Sequence, residues 1–224
     1  MSTNSCDYPD PRQVREVRPT RRSVSGKFAF RGVTSVSFES TLERDFLLRL
    51  EFFTDVVEVI PQPLVVPFTN PRGRAYTYTP DFLVYRRASR PELVEVKPAS
   101  EWRQHAREWF PKWKAARRLA RERDWTFRIF DESRIRDRAL ENIRFLQRYQ
   151  RMPFPDERGI RLVETVASRG AARVDALLSE HAVDPDDARR VRAHLWHLVA
   201  VRTLDVDITG VLDDTTELRI ITDG

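Results

Sequence analysis

The sequence predicts a mixed α/β domain, a central sheet flanked by helices, followed by a small domain of three helices and a β-hairpin. Two observations carry that expectation. Short runs rich in β-branched and aromatic residues (Val56–Ile60, Phe82–Tyr85, Leu93–Val96 and Trp125–Phe130) alternate with longer stretches whose apolar residues recur at helical spacing. The segment Arg151-Met152-Pro153-Phe154-Pro155 reads as a linker between two parts of opposite charge. Residues 1–150 hold 29 basic and 20 acidic side chains, and residues 151–224 hold 10 and 14. The expected divisions are therefore an arm over 1–31, a main domain over 32–150 and a second domain over 151–224.

Residues 1–10 are expected to be disordered. From Pro11 to Arg31 the chain sets Arg12, Arg15, Arg18, Arg21, Arg22, Lys27 and Arg31 against the single acid Glu16. Both a solvated arm and one that grips a phosphate backbone fit that composition. Ser40-Thr41-Leu42-Glu43 opens a helix with Leu42, Phe46, Leu47, Leu50 and Phe53 on one stripe. Ser40 and Glu43 stand at capping-box spacing, so a cap and a site role are both open to Glu43. Val56–Ile60 and Leu64–Val66 read as strands broken by Pro61-Gln62-Pro63, an edge or a bulge.

Further on, Ser100 is placed to cap a helix carrying Trp102, Ala106, Trp109, Trp113 and Ala120, which Pro111 is expected to split or kink. The tryptophans read as core. Arg103, Arg107, Lys112, Lys114, Arg117, Arg118, Arg121 and Arg123 read as an outer face suited to lie along DNA. A strand at Trp125–Phe130 and a basic helix from Ile135 to Tyr149 complete an αβββαβα order.

The chemistry concentrates in the middle strands. Asp81 follows Pro80 at the front of one apolar run, and Glu95 and Lys97 stand on the next, with 13 residues between the two acids, about what a hairpin needs. Charges inside β-rich apolar runs are costly unless paired or bound to a metal. Glu95 and Lys97 are two apart and so project to one face of a strand. Two carboxylates at adjacent strand ends make a hard oxygen site suited to Mg²⁺ or Mn²⁺. With a nearby ammonium, that trio fits metal-assisted phosphodiester hydrolysis. A turn residue at Asp81 and a solvated strand face at Glu95 and Lys97 are the plainer alternatives.

Taken together, Ser40–Glu43, the Gln62-Pro63 turn, Tyr78–Val84, Val94–Pro98 and the later Glu141-Asn142-Ile143 resemble the TnsA family, endonuclease subunits of heteromeric transposases. The resemblance spans roughly residues 10–150 by motif. It implies a restriction-endonuclease-like (PD-(D/E)xK) fold and cleavage of double-stranded DNA at the 5′ ends of a transposon. It also implies an integrase-like transposase as partner for the 3′ ends. Matched residue by residue, Glu43, Asp81, Glu95 and Lys97 fall on the catalytic set. Glu43, Asp81, Glu95 and the Val96 carbonyl would hold Mg²⁺ or Mn²⁺. The best-known family member has glutamine at the position of Glu95; glutamate is commoner in the wider superfamily, so the expected activity stands. A stand-alone restriction or repair nuclease and a non-catalytic DNA-binding scaffold remain the rival readings.

In the second domain, helical runs at Ile160–Ser168, Ala172–Glu180 and Pro185–Ala200 precede strands at Val201–Ile208 and Thr216–Ile221. Asp184 is a good N-cap, with Pro185 at the first helical position. This order describes a winged helix-turn-helix, a fold that often binds DNA. Its third helix mixes Arg189, Arg190 and Arg192 with Asp186 and Asp187 in an acidic setting, so docking onto a protein is equally open. The family resemblance implies the transposon's ATPase regulator as that partner.

No apolar run approaches the length of a membrane span, so no membrane partner is expected. A polar opening without an apolar core and a single cysteine, Cys6, fit the cytoplasm. His194 and His197 share a helix face, but four histidines and one cysteine suggest no zinc site.

Overall fold

A computed structural model describes residues 10–15 and 24–221. Arg18, Arg21 and Arg22 of the expected arm, and Cys6, lie outside the described residues. The chain divides into two units, residues 1–135 and 136–224. The division falls fifteen residues before the expected one at 150, and the helix read from Ile135 to Tyr149 belongs to the second unit.

The first unit opens with a hairpin, β1 (Gly26–Phe30) and β2 (Thr34–Phe38), so Lys27 is a strand residue and Arg31 a turn residue. This hairpin takes the end of the expected arm; Val36 and Phe38, which bury their side chains, account for it. Helix α1 (Thr41–Phe52) follows, capped as its sequence dictates: the Ser40 hydroxyl accepts from the Glu43 N–H.

Four strands make the central sheet: β3 (Val56–Pro61), then, beyond a separate hairpin β4 (Val66–Thr69) and β5 (Ala75–Tyr78), β6 (Phe82–Arg86), β7 (Glu92–Val96) and β8 (Thr126–Phe130). Their order is β3-β6-β7-β8, with the last pair parallel and the others antiparallel, so the sheet is mixed. The run Leu64–Val66 contributes only Val66 to a strand. Leu64 is buried in the core instead.

Strand alternation assigns the two faces. Phe82 and Phe130 meet Phe46 of α1, with ring centroids 5.7 and 5.0 Å apart. Leu83 and Leu93 point the other way, into a core with Trp113, Ala116 and Leu119. Those three residues belong to α3 (Ala106–Glu122), which follows the short α2 (Ala99–Gln104). Trp102 and Trp109 pack on the same cluster, so the tryptophans serve as core. The helix break lies at His105, not at Pro111, and α3 runs through the proline. Pro111 is an interior residue of α3, past its first turn, so the helix forgoes one i→i−4 bond there without breaking. Ser100 does not cap α2, whose N-cap is Pro98; the Ala99 N–H is satisfied by Glu132 at 2.8 Å. Glu132 opens α4 (Glu132–Ile135), the last element of the unit.

The second unit holds α5 (Arg138–Gln150), α6 (Asp156–Arg169), β9 (Ala171–Arg173), α7 (Val174–His181), α8 (Pro185–Ala200), β10 (Leu204–Val206) and β11 (Glu217–Ile220). The strands form an antiparallel sheet in the order β10-β11-β9. The expected helix from Ala172 thus starts two residues later, because β9 pairs with β11 first. α5 packs on α8 through Phe145 and Trp196. The buried Asn142 amide donates to the carbonyls of Ile208 and Gly210, a bracing role. Among the described residues no helix is long and apolar enough to cross a membrane.

Candidate active site

Asp81, Glu95 and Lys97 come together at the open end of the β6–β7 hairpin. Asp81 immediately precedes β6 and Lys97 immediately follows β7, and these antiparallel neighbours share that edge. The Asp81 backbone is held on both sides: its N–H donates to Val94 at 3.0 Å, and its carbonyl accepts from the Gln62 N–H at 2.8 Å. Gln62, in the turn after β3, is buried with φ 46°, a left-handed conformation that lets the chain turn while keeping this bond. The Lys97 N–H in turn donates to Phe130 at 3.0 Å. Strand backbone therefore sets the spacing of the site.

Glu95 meets α3 through Lys112, while Asp81 and Lys97 pair with each other. Asp81 Oδ2 accepts from the Val96 N–H at 2.7 Å and lies 3.9 Å from Lys97 Nζ. Burial first, and the negative charge of Glu95 second, push the Asp81 carboxyl well above its ordinary range; Lys97 and the Val96 N–H pull it back. The Lys97 ammonium is held charged, above all by Asp81 and then by Glu95 and Glu43. Glu43, at the N-terminal turn of α1, thus acts electrostatically on both Asp81 and Lys97. It also completes the capping box: its oxygens accept from the Glu39 N–H at 2.7 Å and the Ser40 hydroxyl at 3.0 Å. Burial raises the Glu43 carboxyl, with those donors and Lys97 opposing.

Glu95 is the most enclosed of the set, 1% exposed. Its two oxygens meet two residues that the sequence alone does not bring to the site. The Tyr78 hydroxyl donates to Oε2, and Lys112 Nζ of α3 stands 3.2 Å from Oε1. The sequence assigns Lys112 to the outer face; the structure turns it inward. A signal for this lies in the sequence: Trp109, Lys112, Trp113 and Ala116 share the i, i+3, i+4, i+7 spacing of the buried stripe. Tyr78, buried at the end of β5, has its hydroxyl pKa raised well above the usual phenol value by burial and by Glu95 and Asp81.

Glu95 and Glu43 each act on Asp81 as like charges, and carboxylate oxygens are the donor type that a hard divalent cation takes. Among the described residues, no three carboxylate, imidazole or thiol groups stand close enough to chelate an ion as they are held here. Glu43 and Glu95 are each engaged by donors of the protein itself.

Residues 54–132, from β3 into α4, match the family model described as TnsA-like endonuclease N terminal. The chain carries a TnsA-like endonuclease domain. The matched segment contains Asp81, Glu95, Val96 and Lys97 and excludes Glu43. No curated protein matches the chain.

Proposed function

We propose that the chain is a metal-dependent DNA endonuclease, the TnsA-like subunit that cuts the 5′ ends of a transposon beside an integrase-like transposase. The observation that carries this reading is the convergence of Asp81, Glu95 and Lys97 at one strand edge within the TnsA-like segment, under the field of Glu43. Glu43, Asp81, Glu95 and the Val96 carbonyl would hold Mg²⁺ or Mn²⁺. Such an ion would lower the pKa of a bound water and offset charge on the phosphate. Lys97, charged and tethered to Asp81, would orient the attacking water and stabilise charge on the phosphoryl oxygens. Glu43 keeps its helix cap as a second role.

The outer face of α3 supports a DNA partner. Arg107, Lys114, Arg117, Arg118 and Arg121 are exposed along it, and Phe110 is 56% exposed among them. Their spacing places them on one side of the helix, a track suited to a phosphate backbone.

The helix–strand–helix–helix–strand–strand order over residues 156–220, with β9 pairing the last strand, supports a winged helix-turn-helix. We assign it to protein docking, with the ATPase regulator of the transposon as partner, because the arginines of α8 are already matched by acids of the same unit.

The test is cleavage of transposon-end DNA with Mg²⁺ and the transposase supplied. Asp81→Ala and Lys97→Ala should each lower the rate by at least about 10²-fold, the scale of losing one charge-stabilising donor. Full activity of the folded Asp81→Ala protein would remove the assignment. Ca²⁺ should support binding but poorly support cutting, because its looser coordination holds the water less closely.

A further inference from the structure

We infer that Lys112 is a built-in counter-cation for Glu95, a positioning residue that neutralises this buried carboxylate until a divalent ion takes over the charge. The inference rests on the metal-site reading of Asp81 and Glu95 and adds a residue to it.

Glu95 lies on a central strand with almost no access to water, and a carboxylate there is costly unless a cation is beside it. Lys97, two residues on, pairs with Asp81 instead. The cation in contact with Glu95 comes from α3: Lys112 Nζ is 3.2 Å from Oε1, and Lys112 is the less exposed of the two site lysines. Aromatic rings hold that ammonium in place. Its Nζ is 4.6 Å from the Trp109 ring centroid, 4.7 Å from Tyr78 and 5.7 Å from Trp113. Ring faces attract a desolvated cation. Tyr78 makes contact twice, donating its hydroxyl to Oε2 while its ring faces the ammonium. The outward residues of α3 have no such enclosure. Lys112 therefore occupies the charge position that an ion on Glu95 would need, and two cations on one buried carboxylate repel each other.

The experiment is thermal unfolding of the full chain in EDTA and across a Mn²⁺ titration, for the unchanged protein, Lys112→Met, Lys112→Gln and Asp81→Ala. Without metal, both Lys112 variants should melt below the unchanged protein. Mn²⁺ should raise their melting temperatures by more than it raises that of the unchanged protein. The concentration dependence should give Mn²⁺ affinity on the order of tenfold tighter, since a competing charge has been removed. Equal Mn²⁺ affinity in the unchanged and Lys112 proteins, with the Mn²⁺ response lost in Asp81→Ala, would overturn the inference while leaving the metal site standing. No Mn²⁺ response in the unchanged protein would overturn both. Lys112 variants that stay unfolded in saturating Mn²⁺ would also overturn the inference, because the ion should restore what the lysine supplied.

Discussion

Helices α3 and α8 both display arginines, yet they present opposite chemistry to solvent. On α8, Arg189 pairs with Asp186, Arg190 lies 3.4 Å from Asp187, and Arg192 makes a two-bond fork at 2.7 Å to Asp214. On α3, among the described residues, Arg107, Lys114, Arg117 and Arg121 have no carboxylate in ion-pair reach, and Arg118 meets only Glu122 at 3.7 Å. The units follow suit: residues 1–135 carry 25 basic and 18 acidic side chains, residues 136–224 carry 14 and 16. What a basic helix offers a polyanion depends on whether its cations are already matched, not on how many it has.

The two helices should differ most in how they meet DNA. Replacing Arg107, Lys114, Arg117 and Arg121 together with glutamine should weaken duplex binding. It should also make the log–log salt dependence shallower by roughly 3 to 4, about 0.9 for each phosphate that is no longer neutralised. The same change at Arg189, Arg190 and Arg192 should leave the slope where it was. A salt titration in which the α8 variant loses slope would reverse the assignment of the two helices.

A second difference is acid sensitivity. His194 is 3% exposed, stacks on Phe154 at 4.5 Å and has Nδ1 without a hydrogen-bond partner among the described residues. Burial, with smaller contributions from His197 and Arg158 against Asp156, lowers its pKa from 6.5 to about 4. The unfolded chain therefore takes up the proton first. Stability from the neutral ring is full above pH 6.5 and is lost as pH falls from there towards 4. The loss should approach roughly 3 kcal/mol. His194→Leu should flatten this part of the pH–stability curve of the second unit, as read by Trp196 fluorescence. An unchanged curve would mean another group carries the acid response.

The smallest effect concerns the pairing itself. Arg192 and Asp214 are both partly open to water. A double-mutant cycle with Arg192→Gln and Asp214→Asn should return a coupling of about 1 kcal/mol or less. A value near zero would mean that the fork does little to withhold Arg192 from a phosphate.

Legibility in the sequence follows the range of the interaction. Asp81, Glu95 and Lys97 are readable because strand alternation places them by local rules, and the Ser40–Glu43 cap because it spans one turn. Tyr78 and Lys112 are not readable as site residues because each meets Glu95 from an element 17 residues away in sequence. The strand order β3-β6-β7-β8 depends equally on tertiary pairing. The early unit boundary is hidden because Pro153 and Pro155 look like a linker, while Asn142 commits α5 to the second unit through bonds 66 and 68 residues away. β9, three residues long, leaves too short a pattern to separate from the helix that follows it.

The hairpin that carries the acids turns at its far end, over residues 87–91, away from Asp81 and Lys97. The 13 residues between Asp81 and Glu95 thus record how long two strands and their turn happen to be. Lengthening that turn would change the spacing without moving either carboxylate, since both are fixed by their strand neighbours. Relatives with the same chemistry can therefore carry quite different gaps, and a search that fixes the interval would pass them over.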